Sequence, residues 1–217
     1  MKKEIILILL ILLIIPFISA VDLSVEKIST NEALITDINQ MSPIDLRITN
    51  NGGSDTFLFY TFFAGGMYPK STVLINSYQP QNILAGIYPR KDLGTKGFVN
   101  FDYFIKGKTG EQKENMLIKV IELKDSFEIN AGEMSDDKST MKINIKNLYN
   151  YDFENIDVKF SSAFFNFEKR ISLKPHETII FDAPINKEDF KKLLAGYYTI
   201  KAEVNMDGKI AVVEGII

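Results

Sequence analysis

The sequence predicts an all-β chain: two tandem β-sandwich domains preceded by an N-terminal hydrophobic signal helix. Three observations carry this prediction. Short runs of alternating apolar and polar residues, closed by turn residues, recur along the chain after residue 20. Two such runs, at opposite ends of the first half, return in the second half at nearly the same spacing. Residues 1–20 differ from everything after them, with a basic head, an aliphatic core and a small residue at the end.

Composition bounds the chemistry. Of 217 residues, 46% are hydrophobic and 24% charged, enough for a packed core and too apolar for wholesale disorder. The formal net charge is −3 with no basic run, which excludes nucleic acid as a partner, since that needs clustered Lys and Arg. The chain has no cysteine, which excludes disulfides, thiolate metal sites and a cysteine nucleophile. Aromatic residues are skewed to Phe (16) and Tyr (9), with no Trp.

Met1-Lys2-Lys3-Glu4 is the basic-leaning head, residues 5–15 are unbroken aliphatic sequence, and Pro16-Phe17-Ile18-Ser19-Ala20 leads to Val21-Asp22. Cleavage after Ala20 is expected. The alternative is an uncleaved anchor, although the apolar stretch of residues 5–18 is shorter than the ~20 residues a spanning helix needs. Either way the remainder is expected outside the cytoplasm, secreted or on the cell surface.

In the first half, Asp22-Leu23-Ser24-Val25-Glu26 and Ile44-Asp45-Leu46-Arg47-Ile48-Thr49 alternate as strands, and Asn51-Gly52 reads as a turn whose residues tolerate positive φ. Residues 97–105 form a strand ending at Lys106-Gly107, and residues 116–123 close the half. In the second half, residues 139–147 overlay residues 42–50 at a shift of 97, matching Met141, Ile143 and Ile145 to Ile44, Leu46 and Ile48. Residues 196–204 overlay residues 97–105 at a shift of 99. The repeating unit of about 100 residues is the usual size of an immunoglobulin-like sandwich. The domains are therefore read as 1–20 (signal peptide or N-terminal anchor), 21–124 and 125–217. No Gly-, Pro- or Ser-rich linker separates the sandwiches, so their orientation is expected to be restricted. One helix is expected, capped by Asn186 with Asp189 in its first turn, striped by Phe190, Leu193 and Leu194, and ended by Gly196. Tyr197 or Tyr198 then opens a strand, where a tyrosine hydroxyl ties back to backbone in this kind of sandwich.

Ile48-Thr49-Asn50-Asn51-Gly52, followed by Asp55-Thr56-Phe57, resembles the N-x-G … D-T-F stretch of CARDB and alpha-galactosidase-associated sandwich modules of archaeal and bacterial surface proteins. The second half keeps Asn147 but continues Leu148-Tyr149-Asn150-Tyr151-Asp152-Phe153, without the glycine. Leu194-Ala195-Gly196-Tyr197-Tyr198-Thr199-Ile200 resembles the A-G-x-Y-x-I strand of such modules, and the Ile-, Lys- and Asn-rich style fits an archaeal or other low-GC source. The resemblance implies an immunoglobulin-like fold, extracellular display, and adhesion or scaffold work. It transfers no functional residue.

No catalytic, cofactor-binding or metal-ligating residue is singled out. His176, the sole histidine, lies in the turn Lys174-Pro175-His176-Glu177 and has no sequence partner for a triad or metal site. Glu133, Asp136 and Asp137 match no calcium-loop spacing, and Lys138 opposes a cation. Gly52-Gly53 and Gly65-Gly66 lack the Lys-Ser/Thr of a phosphate loop. The aromatic runs stand out. Residues 57–63 (Phe-Leu-Phe-Tyr-Thr-Phe-Phe) are apolar on both faces of a strand, with Phe57, Phe59, Thr61 and Phe63 on one face and Leu58, Tyr60 and Phe62 on the other. One set is expected in the core. The other is expected to meet the second sandwich, a loop or a partner, with burial within the chain the plainer reading. Phe164, Phe165 and Phe167 form the second run, and no Asn-x-Ser/Thr glycan acceptor is present.

The expected function is that of a non-catalytic secreted or cell-envelope protein, its immunoglobulin-like modules doing structural, adhesion or ligand-binding work. Two alternatives stand beside it: an accessory sandwich region of a carbohydrate-active or other extracellular enzyme, and a membrane-anchored subunit of an envelope assembly. The expected partner is a protein or cell-surface component, with carbohydrate as the alternative. Membrane association is assigned to residues 5–18 or to a segment following the strand-like residues 210–217.

Overall fold

The computed structural model describes residues 21–30, 32–90, 93–135, 137 and 139–217. The N-terminal segment of residues 1–20, on which the signal or anchor reading falls, lies outside the described residues.

Alternation produces strands throughout. The first half holds β1 (Leu23–Lys27), β2 (Ala33–Ile35), β3 (Ser42–Asn50), β4 (Asp55–Thr61), β5 (Met67–Tyr68), β6 (Val73–Ile75), β7 (Pro80–Ile87), β8 (Gly97–Lys106) and β9 (Glu111–Ile121). After a 3₁₀ turn at Leu123–Ser126 come β10 (Phe127–Met134), β11 (Thr140–Asn147), β12 (Phe153–Ser162), β13 (Phe165–Leu173), β14 (Thr178–Pro184), the short helix α1 (Lys187–Lys191), β15 (Thr199–Met206) and β16 (Lys209–Ile216).

The second half places β10-β11-β14 in one sheet and β13-β12-β15-β16 in the other. The first half has β1-β3-β7-β5 opposite β2-β9-β8-β4-β6. With β2 and β5 set aside, both halves show one order: first, second and fifth strands together, then fourth, third, sixth and seventh. That is an immunoglobulin-type strand order. The repeats seen in the sequence fall on topologically equivalent strands, β3 with β11 and β8 with β15.

Two apolar clusters fill the space between facing sheets. In the first half Ile44, Ile48 and Ala85 of one sheet share a cluster with Phe59, Tyr103 and Ile118 of the other. In the second half Ile143, Ile145 and Ala183 share one with Phe160, Ile200 and Val204. That second cluster also takes in Ala33, Ile35 and Ile38, while Leu34 belongs to the first. Strand β2, paired parallel to β9 with Leu34 opposite Val120, thus divides its side chains between both cores. Polar contacts join the halves as well. Tyr151 donates its hydroxyl proton to Gln40, and Gln40 donates to Asp207 (2.9 Å).

Three local expectations are corrected. Among the described residues neither Asn51 nor Gly52 has a positive φ. The bend after β3 is built instead by the buried side chain of Asn50, which accepts from the Gly52 N–H (2.9 Å) and donates to the Gly53 carbonyl (2.8 Å) and the Ile75 carbonyl (3.3 Å). Because β3 and β4 lie in opposite sheets, this is a crossing between layers and not a hairpin. Asn147 repeats the device, accepting from Tyr149 N–H (3.1 Å) and donating to the Tyr151 (2.6 Å) and Lys174 (2.9 Å) carbonyls. This explains why the asparagine recurs while the glycine does not. Strand β9 begins at Glu111, five residues before the expected start, because it pairs along all ten residues of β8. Helix α1 is capped by Asn186, whose side chain accepts from Glu188 and Asp189 N–H groups, but it stops at Lys191 and not at Gly196. Phe190 and Leu193 still pack on the core, whereas Leu194 is exposed. Tyr198 ties its hydroxyl to the Leu194 carbonyl at 2.5 Å, as the strand-opening tyrosine was expected to do.

Candidate binding face

The aromatic run on β4 splits as alternation requires. Phe57 and Phe59 are each 2% exposed and Thr61 is buried. Leu58 and Tyr60 are half-buried on the opposite face, and Phe62, just past the strand, is 77% exposed. Burial within the chain, the plainer expectation for this face, is therefore not what the structure shows. The second aromatic run does belong to a core: Phe164 and Phe165 are buried, and half-buried Phe167 stacks on Phe160 at 5.0 Å.

Strand register extends the outer patch across β8 and β9. Tyr60 lies opposite Phe104, and their rings stack at 5.1 Å with 17° between planes. Phe62 meets both edge-on, at 5.5 Å from Tyr60 and 5.7 Å from Phe104. Further along the same face of β8, Phe98 is 72% exposed, and on β9 Leu117, opposite Asn100, is 54% exposed. The polar residues Asn100, Asp102 and Asn115 lie between Phe98 and Phe104 on this face. Phe98 also carries the ammonium of Lys119 over its ring (5.8 Å), and that ammonium donates to the Tyr149 hydroxyl (2.9 Å) in the second half.

The carboxylates nearest the rings are hydrogen-bonded within the sheet. Asp102 is held by Lys113 (2.7 Å) and Asn115 (3.1 Å), which keep its carboxyl below the usual carboxylate range. Tyr60 donates to Glu111 at 2.6 Å, and that bond raises the phenol pKa above its ordinary value.

The second half supplies an internal control. At the shift of 99, Phe104 becomes Glu203 and Asp102 becomes Lys201, both exposed. The pair Tyr60–Phe104 has as its counterpart Lys159 opposite Glu203. Nearby Arg170 grips Asp157 with two bonds (2.7 and 2.9 Å), and Lys201 pairs with Glu214 (3.0 Å). The same sheet face thus folds in the second half with charged side chains beside exposed Val212 and Ile210, and carries aromatic ones in the first. Folding alone does not require exposed rings there.

The other residues weighed from the sequence do not converge. His176 sits in an exposed turn at φ 60 between β13 and β14. Asp137 accepts from the hydroxyls of Ser139 (2.6 Å) and Ser135 (2.7 Å) and from the Ser139 N–H (3.0 Å), which hold its pKa at about 2. Its carboxylate closes its own turn, Glu133 is exposed, and Asp136 and Lys138 lie outside the described residues. Among the described residues no group of three or more His, Asp or Glu is placed to hold a metal ion, and no helix is long and apolar enough to cross a membrane. Phe98, Phe104 and Leu117 were not singled out from the sequence. The available signal was β8, which, like β4, is apolar at positions on both of its faces.

No family model and no curated protein matches this sequence. Among solved structures it is similar to the E. coli chaperone DraB (10% identity, TM-score 0.34, covering 90% of this chain and 98% of that one). It is also similar to the D00-D0 domain of intimin (11%, 0.31, 90% and 99%). A third similarity is to red sea bream transglutaminase (9%, 0.32), where 91% of this chain spans 31% of that protein's length.

Proposed function

We propose that this chain is a non-catalytic, extracytoplasmic binding protein whose two immunoglobulin-like sandwiches display one aromatic sheet face to a protein partner. The observation that carries the reading is Phe62, 77% exposed beside Tyr60 and Phe104, where the equivalent pair in the second half is Lys159 and Glu203. Exposed aromatic residues inside a rim of paired polar groups are the composition of a protein contact surface. A sugar would need open ring faces, whereas Tyr60 and Phe104 turn theirs toward each other. The extracytoplasmic placement is supported by the basic head, apolar core and Ala20 of residues 1–20. The resemblance of the Asn50 and Gly196 segments to surface-displayed modules agrees with it.

The reading is tested by placing a photoreactive phenylalanine analogue at position 62 or at position 203 and irradiating the host's cells. Position 62 should cross-link to protein and position 203 should not. Equal labelling, or none at 62, would remove the face as a docking site. Thermal melts complete the test: Phe62→Ser should stay within about 0.5 kcal/mol of the parent, while Phe59→Ala should cost about 3–5 kcal/mol.

A further inference from the structure

We infer that the pole of the first sandwich opposite its junction with the second is a carbohydrate-binding site, with Tyr78 as the ring on which a sugar stacks. The site is separate from the aromatic sheet face and does not depend on it.

Three loops meet at this pole: residues 51–54 between β3 and β4, residues 76–79 between β6 and β7, and residues 107–110 between β8 and β9. Hydrogen bonds tie them together. The Tyr78 N–H donates to the Asn50 carbonyl (2.7 Å), the Ser77 N–H to the Ser54 hydroxyl (2.9 Å), the Ser77 hydroxyl to the Gly52 carbonyl, and the Lys108 N–H to Asp55 (2.9 Å). Between the first and third loops lies a cleft of about 310 Å³, at the lower end of the range for small-ligand sites.

Two residue choices at this pole are not explained by the fold. Tyr78 is 73% exposed and holds φ at 54, a left-handed conformation that strains a bulky residue and that glycine adopts freely. The matching turn of the second half holds His176 at φ 60, so the turn sets the conformation and leaves the side chain free to serve another end. The second choice is Gly53. Its φ is not positive, and a Cβ added to it would meet nothing within 4 Å, so neither backbone nor packing requires glycine. Gly53 lines the cleft, and its missing side chain keeps the cleft open. Ser77 joins the strained tyrosine's turn to Gly52 and Ser54 on the cleft's wall. Strain in an exposed residue beside an unfilled cleft marks a ligand site.

The lining names the ligand class. Asp22 and Asp55 bring acceptors, and Lys108 and Thr109 bring donors, so a neutral polyhydroxyl ligand finds partners for both kinds of bond. Asn, Gly, Ser and Tyr fill most of the three loops, the composition of adaptable hydrogen-bonding loops with an aromatic anchor. The second half uses the same pole differently. Its loop after β11 carries the buried Tyr149 and Tyr151, which bond Lys119 and Gln40 of the first half. The loop after β3 has Gly52-Gly53-Ser54 and no such apolar plug, which suits a sugar and not another sandwich.

Saturation-transfer NMR on the full chain tests the site with maltotriose, cellotriose, mannotriose and chitotriose, each at about 10 mM so that millimolar binding is detected. At least one should bind. Tyr78→Gly should weaken it by roughly tenfold or more. The same change should not lower the thermal midpoint, because glycine takes a φ of 54 without strain. Gly53→Leu should fill the cleft and abolish binding with the fold retained. Phe62→Ser should change nothing. Binding of none of these sugars, or binding indifferent to both Tyr78→Gly and Gly53→Leu, overturns the inference. A photoreactive phenylalanine at position 78 that cross-links to protein in the host's cells, while no sugar binds, overturns it too and makes the pole a protein contact. Neither result touches the reading of the aromatic face, which is judged at position 62.

Discussion

Cutting the chain between Lys124 and Asp125 should yield two fragments with unequal fates. A duplicated sequence leads one to expect two self-sufficient halves, but the cores are not symmetrical. The first cluster draws on no residue beyond Val120. The second borrows Ala33, Ile35, Ile38, Ile121 and Leu123 from before the cut, each at most 4% exposed. Burying a large aliphatic side chain contributes about 1.5–3 kcal/mol, so the three isoleucines and Leu123 together contribute roughly 6–12 kcal/mol. A typical domain has only about 5–15 kcal/mol in total. Fragment 21–124 should therefore melt cooperatively, with Ala33 and Ile35 left as an apolar patch, while fragment 125–217 should be unfolded at 25 °C. Within the intact chain, Ile35→Ala should cost about 2–5 kcal/mol. That loss should appear in the second half even though Ile35 sits on a strand paired in the first. Far-UV circular dichroism during thermal and urea unfolding reads all three species. A cooperative melt of fragment 125–217 within a few degrees of the full chain would refute the shared-core argument.

Two further outcomes follow from buried polar groups. Asn147→Ala removes one acceptor and two donors at a fully buried position, so it should cost about 2–5 kcal/mol by urea unfolding; a change within about 0.5 kcal/mol would mean that water replaces the side chain. Tyr103 is buried, and burial, aided by Glu114, raises its phenol pKa well above the ordinary 10. A folded-state pKa above the unfolded one means that this stabilisation is complete below about pH 10 and is lost as pH rises further. Tyr103→Phe should flatten the fall in stability between pH 10 and 11, and identical slopes for both proteins would contradict it.

How much could be read without coordinates depends on the range of the interaction. The strands β3, β8, β11 and β15 were legible because alternation is a property of neighbouring residues. Their equivalence was legible because a duplication preserves spacing. The cap at Asn186 and the tie of Tyr198 were legible for the same local reason. The Asn51-Gly52 turn was misread because its geometry comes from a third party, the Asn50 side chain bonded to the distant Ile75 carbonyl. The end of α1 was misread because a glycine can stop a helix without being needed to stop it.

The sequence by itself determined that Phe57 and Phe59 oppose Leu58, Tyr60 and Phe62, since successive side chains on a strand point to opposite faces. It could not determine which face stays open. That depends on register: Tyr60 comes to lie beside Phe104, some forty residues away, and Phe98 beside Lys119 only once β4, β8 and β9 pair. Only the tertiary structure decided that β2 gives Leu34 to one core and Ile35 to the other, because this requires both halves to be present at once. Local periodicity is written in a few consecutive residues. Coverage of a face is set by chain segments far apart in sequence, and only folding brings those together.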